Sequence, residues 1–311
     1  MPLPSSGTLS LFDIAQNQGA NSVGVVSPFS LRELSILTGK NYYYDGGFFW
    51  NNPSISSFYN WGGYGYKYGS PAILHDYGLS SRYSIGSSSI IDTSGNGRTG
   101  TYVSGTGNGS TLNIPSGYYD TGFPANIRTH DSNQYAIRLD DTAKYGGNAA
   151  FTWLTWFRVT SFQTNFPGLI ANEGRSGGGS PIGHSLLLAN SGGIKLQYVR
   201  WNGTSGTPSV VEITFGSGGI PAFVYNKWYM AAARYDGTNA WLNLFWGDAN
   251  FQNSGSANVP VTTDASWGVF NGLRYNNWLD GRFGYTAIYS SDIGYVGVGN
   301  IFNDTQARYG Y

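Results

Sequence analysis

At 311 residues the chain is long enough for one large domain with an appendage, or for two ordinary domains. Hydrophobic residues make up 40% and aromatics 16%, but charged residues only 11%, less than half the usual quarter. Lys plus Arg and Asp plus Glu number 17 each, so no net positive charge is available to neutralise phosphates, which argues against nucleic-acid binding.

Without cysteine the chain has neither disulfides nor thiolate metal sites. Residues 1–20 lack a basic region followed by an apolar one, so no signal peptide is expected. No apolar run reaches the ~18–20 residues that membrane insertion requires. So weakly charged a protein is expected to be made in a cytoplasm and to work packed into an assembly. Glu occurs only at Glu33, Glu173 and Glu212, whereas Gly numbers 46. With Thr, Val, Ile and aromatic residues abundant, the balance is all-β.

Residues 1–40 contain a weak repeat. SLFDIAQNQG (Ser10 to Gly19) and SLRELSILTG (Ser30 to Gly39) begin alike, each with a capping box (Ser10 with Asp13, Ser30 with Glu33) and each ending in Gly. Two short helices are predicted, too short to persist alone in water. Their apolar positions Leu9, Leu11, Ile14, Leu31, Leu34 and Leu37 would then pack on a neighbouring subunit or on the chain's own sandwich. Residues 41–72 form an aromatic, Gly-rich connector with neither helical nor strand periodicity. It reads equally as a loop pinned by its rings or as an aromatic interface.

From residue 73 to 311 the pattern is strand and turn. FTWLTWFRV (from Phe151), HSLLLAN (from His184), IKLQYVRWN (from Ile194), WYMAAARYDG (from Trp228), AWLNLFWG (from Ala240) and RFGYTAIYS (from Arg282) are rich in β-formers. Asp236-Gly237 between two of them predicts a tight hairpin. Phe151, Trp153 and Phe157 would face one way and Leu154 and Trp156 the other, so such strands need cover on both sides. Surplus apolar faces, near-zero charge and the aromatic connector together point to a homo-oligomer.

Four elements in order resemble the laminin-G/concanavalin-like domains of tailed-bacteriophage structural proteins. They are the D-x-S-G-N-G-x-x-G loop (Asp92, Ser94, Gly95, Asn96, Gly97, Gly100), the F-T-x-x-x-W motif (Phe151, Thr152, Trp156), the hairpin Trp228 to Gly247, and the tail ending N-x-T-x-x-R-Y-G. Residues 1–40 resemble the leader found on tail and fibre proteins of large phages, including those of marine cyanobacteria. The resemblance implies an all-β concanavalin/laminin-G-like jelly-roll sandwich and a virion location. It also implies that the leader is a virion anchor docking on other virion proteins, with trimeric assembly by analogy with fibres.

A glucanase of this fold would carry an E-x-D-x-x-E or E-x-D-x-E strand. Glu173 and Glu212 have no acidic neighbour, and Asp140-Asp141 would face opposite sides of a strand, so no enzyme is expected. His75, His130 and His184 lack metal-ligand or triad spacing, and Gly177-Gly178-Gly179 lacks the Lys of a phosphate loop. No cofactor is required. Calcium is the one ion the loops would suit, at Asp92 and Asn96 or Asp140 and Asp141, although Asp-x-Ser-Gly-Asn-Gly is equally what a tight turn wants. For a host-surface glycan, the aromatic-plus-polar groups are Trp201 with Asn202, Trp246 with Asp248, Trp267, and Asn276 and Asn277 with Trp278. The alternative is a structural adaptor binding only other virion proteins.

Overall fold

The computed structural model describes residues 71–77, 87–92, 94, 96–104, 110–116, 118–120, 126–130, 133–140, 149–162, 164–175, 181–202, 208–247, 249–256, 269–274 and 277–311. The two leader helices, the anchor residues Leu9, Leu11, Ile14, Leu31, Leu34 and Leu37, and the connector lie outside them, as do Asp141, Asp248, Trp267 and Asn276. The chain divides into two compact units, Pro71–Val298 and Met1–Ser70 with Gly299–Tyr311.

In chain order the strands are β1 (Ile73–Asp76), β2 (Ser89–Ile90), β3 (Gly100–Ser104), β4 (Tyr119–Asp120), β5 (Asn126–Thr129), β6 (Tyr135–Asp140), β7 (Phe151–Ser161), β8 (Gly168–Arg175) and β9 (Pro181–Ala189). They continue as β10 (Lys195–Asn202), β11 (Ser209–Thr214), β12 (Trp228–Tyr235), β13 (Asn239–Trp246), β14 (Ala249–Ser256), β15 (Val269–Asn271), β16 (Leu273–Arg274), β17 (Asn277–Trp278) and β18 (Asp280–Tyr289). A helix, α1 (Gly294–Thr305), follows.

Two eight-stranded antiparallel sheets make the sandwich. The first runs β14-β13-β12-β7-β18-β5-β4, with β1 also on β18; the second runs β11-β10-β9-β8-β15-β6-β3-β2. A bulge in β18 between Phe283 and Thr286 separates its pairing with β5 from its pairing with β1. The all-β sandwich expected from composition and resemblance is therefore the fold. All six sequence-predicted strands form, and the Asp236-Gly237 turn closes β12 on β13. Gly237 has φ 104°, and the Asp236 carboxylate accepts the Thr238 and Asn239 N–H groups, each at 2.7 Å. That positive φ is open to glycine at no steric cost.

Inward residues of both sheets interdigitate in one core, including Phe151, Trp153 and Phe157 of β7, Tyr229 and Tyr235 of β12, and Leu186, Leu188 and Tyr198 of β9 and β10. The outward residues Leu154, Trp156, Met230 and Ala232 are also 0% exposed in the single chain. The two-sided apolar pattern is thus satisfied within one chain, and these residues offer no free contact surface for a partner.

The tail after the closing strand carries a helix over residues 294–305, which the sequence motif did not assign. Glycines at 294, 297 and 299 disfavour a helix. Its start is organised by Asp292, which accepts the Gly294 N–H at 2.8 Å and ion-pairs with Arg234 at 3.0 Å. Within the second unit, Thr305 Oγ1 donates back to the Ile301 carbonyl at 2.7 Å, and Gly310 ends the chain's last turn at φ 86°.

Candidate binding groove

β11 and β14 are terminal strands of the two sheets, and their edges meet along one side of the sandwich. Asn253 of β14 donates its side-chain N–H to the Glu212 carbonyl of β11 at 2.7 Å, stitching the seam. Further along, a Cβ at Gly255 would lie 3.0 Å from Val211 Cγ2, so a small residue lets the edges close there.

Beside that stitch the edges diverge into a groove of about 490 Å³. Its floor carries Phe251, whose half-buried ring packs against the core, with Ile213 and Ile220. Its lining also includes Asn250, Gln252 and Asn253 of β14, Glu212 and Thr214 of β11, and Ser217. Ser217 and Ile220 are delivered by a tight turn in which the Gly216 N–H reaches the carbonyls of Ile220 and Pro221, both at 3.0 Å.

The polar groups are held in place. Tyr295 donates its hydroxyl to Asn250 Oδ1 at 2.7 Å. Lys195 Nζ donates to Glu212 Oε1 and Gln197 Nε2 to Glu212 Oε2, both at 2.9 Å. The Lys195 hydrogen bond, aided by Gln197 and the ammonium charge, outweighs partial burial and holds the Glu212 carboxyl below the usual carboxylate range. Glu212 is therefore ionised at neutral pH, with acceptor capacity to spare. Gln252 is exposed and makes no side-chain hydrogen bond among the described residues.

The sequence-singled aromatics do not gather here. Trp201 packs on Leu187, Ala189 and Val199 on the outer face of the second sheet, with the Arg274 guanidinium 5.7 Å from its ring. Trp278 is buried with Val103, Ala136 and Leu273, and Asn277 pairs with Arg274 in the β16–β17 hairpin. Asn202 ends β10 opposite Ile182. Trp246 stands elsewhere, half-buried beside Tyr229 and under Lys227 Nζ at 4.4 Å. The groove residues of β14 escaped sequence reading because ANFQNSGS is polar and glycine-containing. A signal did exist in Phe251, a lone ring between amides directly after the Trp246 hairpin arm.

Asp92 organises its own loop. Its carboxylate accepts the N–H groups of Leu74 at 3.0 Å, Ser94 at 2.9 Å and Arg98 at 2.8 Å, and the Ser94 hydroxyl at 2.7 Å. Asn96 donates to the Pro71 and Ala72 carbonyls at 2.9 and 3.2 Å, tying the loop to the start of β1. Asp140 ends β6, and no group of three or more His, Cys, Asp or Glu able to hold a metal occurs among the described residues. Asp92→Ala orphans three N–H donors, one of them on a buried strand, and should cost about 2–4 kcal/mol at ~1–3 kcal/mol per buried unsatisfied group. Urea unfolding with EDTA or with calcium should give the same loss; a deficit that appears only with calcium would instead mark Asp92 as a ligand.

His75 Nε2 donates to the Arg98 carbonyl at 3.0 Å, and His184 Nδ1 shares a hydrogen bond with the Tyr198 hydroxyl at 2.7 Å. Glu173, 2% exposed, accepts from Arg274 Nε at 2.8 Å and from the Ser185 hydroxyl. Glu173 on β8 and Glu212 on β11 are three strand spacings apart, at least about 14 Å at ~4.8 Å each, and the register offsets them further along the strands. The carboxyl pairs of glycosidases sit about 5–9.5 Å apart, so these two cannot act together on one glycosidic bond.

No family model matches the sequence, and no curated protein matches it. Solved structures do resemble it in fold. The botulinum neurotoxin serotype G binding domain has a TM-score of 0.50 at 11% identity, over 75% of this chain and 50% of that one. The receptor binding domain of botulinum neurotoxin D gives 0.48 at 13% identity, over 76% and 53%. Domain 4 of AbnA, an extracellular arabinanase from Geobacillus stearothermophilus in complex with arabinotriose, gives 0.46 at 14% identity, over 75% and 98%. The chain spans about half the length of the neurotoxin chains it matches. What it shares with the serotype G domain is the β-sandwich fold.

Proposed function

We propose that the sandwich is a binding module that holds a glycan, free or on a host receptor, in the β11–β14 groove without cleaving it. One observation carries this reading: residues bearing amides, hydroxyls and a carboxylate line a groove of about 490 Å³ together with a single aromatic residue, Phe251. Sugar hydroxyls need paired donors and acceptors at fixed positions, and the C–H face of a sugar ring needs a flat apolar surface; both are present. The serotype G structure that shares the fold is itself named a binding domain.

The sequence resemblance to phage structural proteins supports a further placement on a tailed-phage particle. There the leader would meet other virion proteins, and the chain would act as a homo-oligomer, trimeric by analogy with fibres.

The test is a glycan array with the wild type, Phe251→Ala and Gln252→Ala. The wild type should retain saccharides, and each variant should lose about 1–2 kcal/mol of affinity, roughly five- to thirtyfold. Gln252 is exposed, so its loss cannot act through unfolding. Retention of a saccharide at full strength by both variants would overturn the groove assignment.

A further inference from the structure

We infer that the groove selects neutral saccharides and rejects acidic ones such as sialylated, sulfated or uronate-bearing chains. This rests on the groove being the glycan site. Among the described residues Glu212 is the one ionisable residue lining it, and its charge is negative. The Lys195 ammonium is spent on Glu212 itself, at 2.9 Å from Oε1, and is not among the described residues that line the groove.

An acidic sugar would bring its anion toward the Glu212 carboxylate, whose ammonium partner Lys195 is already spent on that carboxylate and does not itself line the groove. Bringing an anion beside a like charge is opposed by repulsion and by the hydration it gives up on contact. A neutral sugar meets the opposite situation. Each Glu212 oxygen carries one internal hydrogen bond and keeps acceptor capacity for a sugar hydroxyl. The amides of Gln252 and Asn250 can both donate and accept, which suits hydroxyls and gives no preference for carboxylate or sulfate.

The experiment uses the full chain on an array holding neutral oligosaccharides and their sialylated, sulfated and uronate-bearing counterparts, with Gln252→Ala and Glu212→Lys alongside. The expected result is retention of neutral chains, roughly five- to thirtyfold weaker in Gln252→Ala, with acidic counterparts at least tenfold weaker than neutral ones on the wild type. Glu212→Lys should weaken neutral binding tenfold or more and raise retention of acidic chains. If the wild type prefers acidic chains and Gln252→Ala still weakens retention, the groove stands and the charge selection is wrong. If nothing is retained, or retention ignores Gln252→Ala, the groove reading falls and this inference with it. Far-UV circular dichroism and thermal unfolding of Glu212→Lys confirm that any loss is one of binding.

Discussion

Replacing Glu173 by Ala should cost about 3–5 kcal/mol of folding free energy, because it strands the Arg274 guanidinium in a site already withdrawn from water. The side chains of the pair are 2% and 11% exposed, and they join positions 101 residues apart, tying the β16–β17 hairpin to β8. Ser185 would lose its acceptor as well. A domain has only ~5–15 kcal/mol in total, so the variant should unfold at a much lower urea concentration. Glu173→Leu combined with Arg274→Leu should recover most of the loss, since no charge is then left unpaired. Lys195→Ala supplies the contrast, because its pair with Glu212 is 26% and 39% exposed. That change should cost no more than ~1 kcal/mol. Equal losses from the two ion pairs would refute the distinction between them.

Trp156→Ala should destabilise the isolated chain by about 3–5 kcal/mol, as much as Trp153→Ala, although the two rings face opposite sides of β7. Both are 0% exposed in the single chain, so each leaves a cavity lined by groups that cannot reach water. If the outer face of the first sheet were completed only by another subunit, Trp156→Ala would barely change the stability of the monomer. Chemical unfolding at several protein concentrations separates the outcomes. A loss independent of concentration supports burial within the chain, and a loss confined to concentrated samples would restore the oligomer explanation for that face.

Much of the sandwich could be read locally. The two-sided apolar alternation of residues 151–159, the Asp-Gly turn and the Asp92 loop each record an environment set by neighbours a few positions away. Burial on both faces of a strand leaves consecutive apolar residues, and a positive φ leaves a glycine. An aspartate two residues before a serine can accept that residue's N–H whatever the rest of the chain does. For the same reason the missing carboxylate motif was legible, since a catalytic pair presented from one strand is a local pattern.

The groove, the Glu173–Arg274 pair and the helix start at Asp292 were not legible, and the cause is sequence distance. Ala249–Ser256 is a strand because β13 supplies its hydrogen bonds, whereas its own residues are polar and include a glycine. Asn253 reaches Glu212 across 41 residues, and Arg234 reaches Asp292 across 58. The aromatic-plus-amide rule pointed to tryptophans, because ring size is visible in a sequence, and those of β10 and β17 were taken up by packing. What composition and short-range pattern determined is an all-β chain with heavily buried strands and tight turns. Which strands became edges, and so which polar side chains face each other across an open seam, was decided only when the two sheets closed on a common core: side-chain direction in a strand is a local property, but the identity of its neighbour is not.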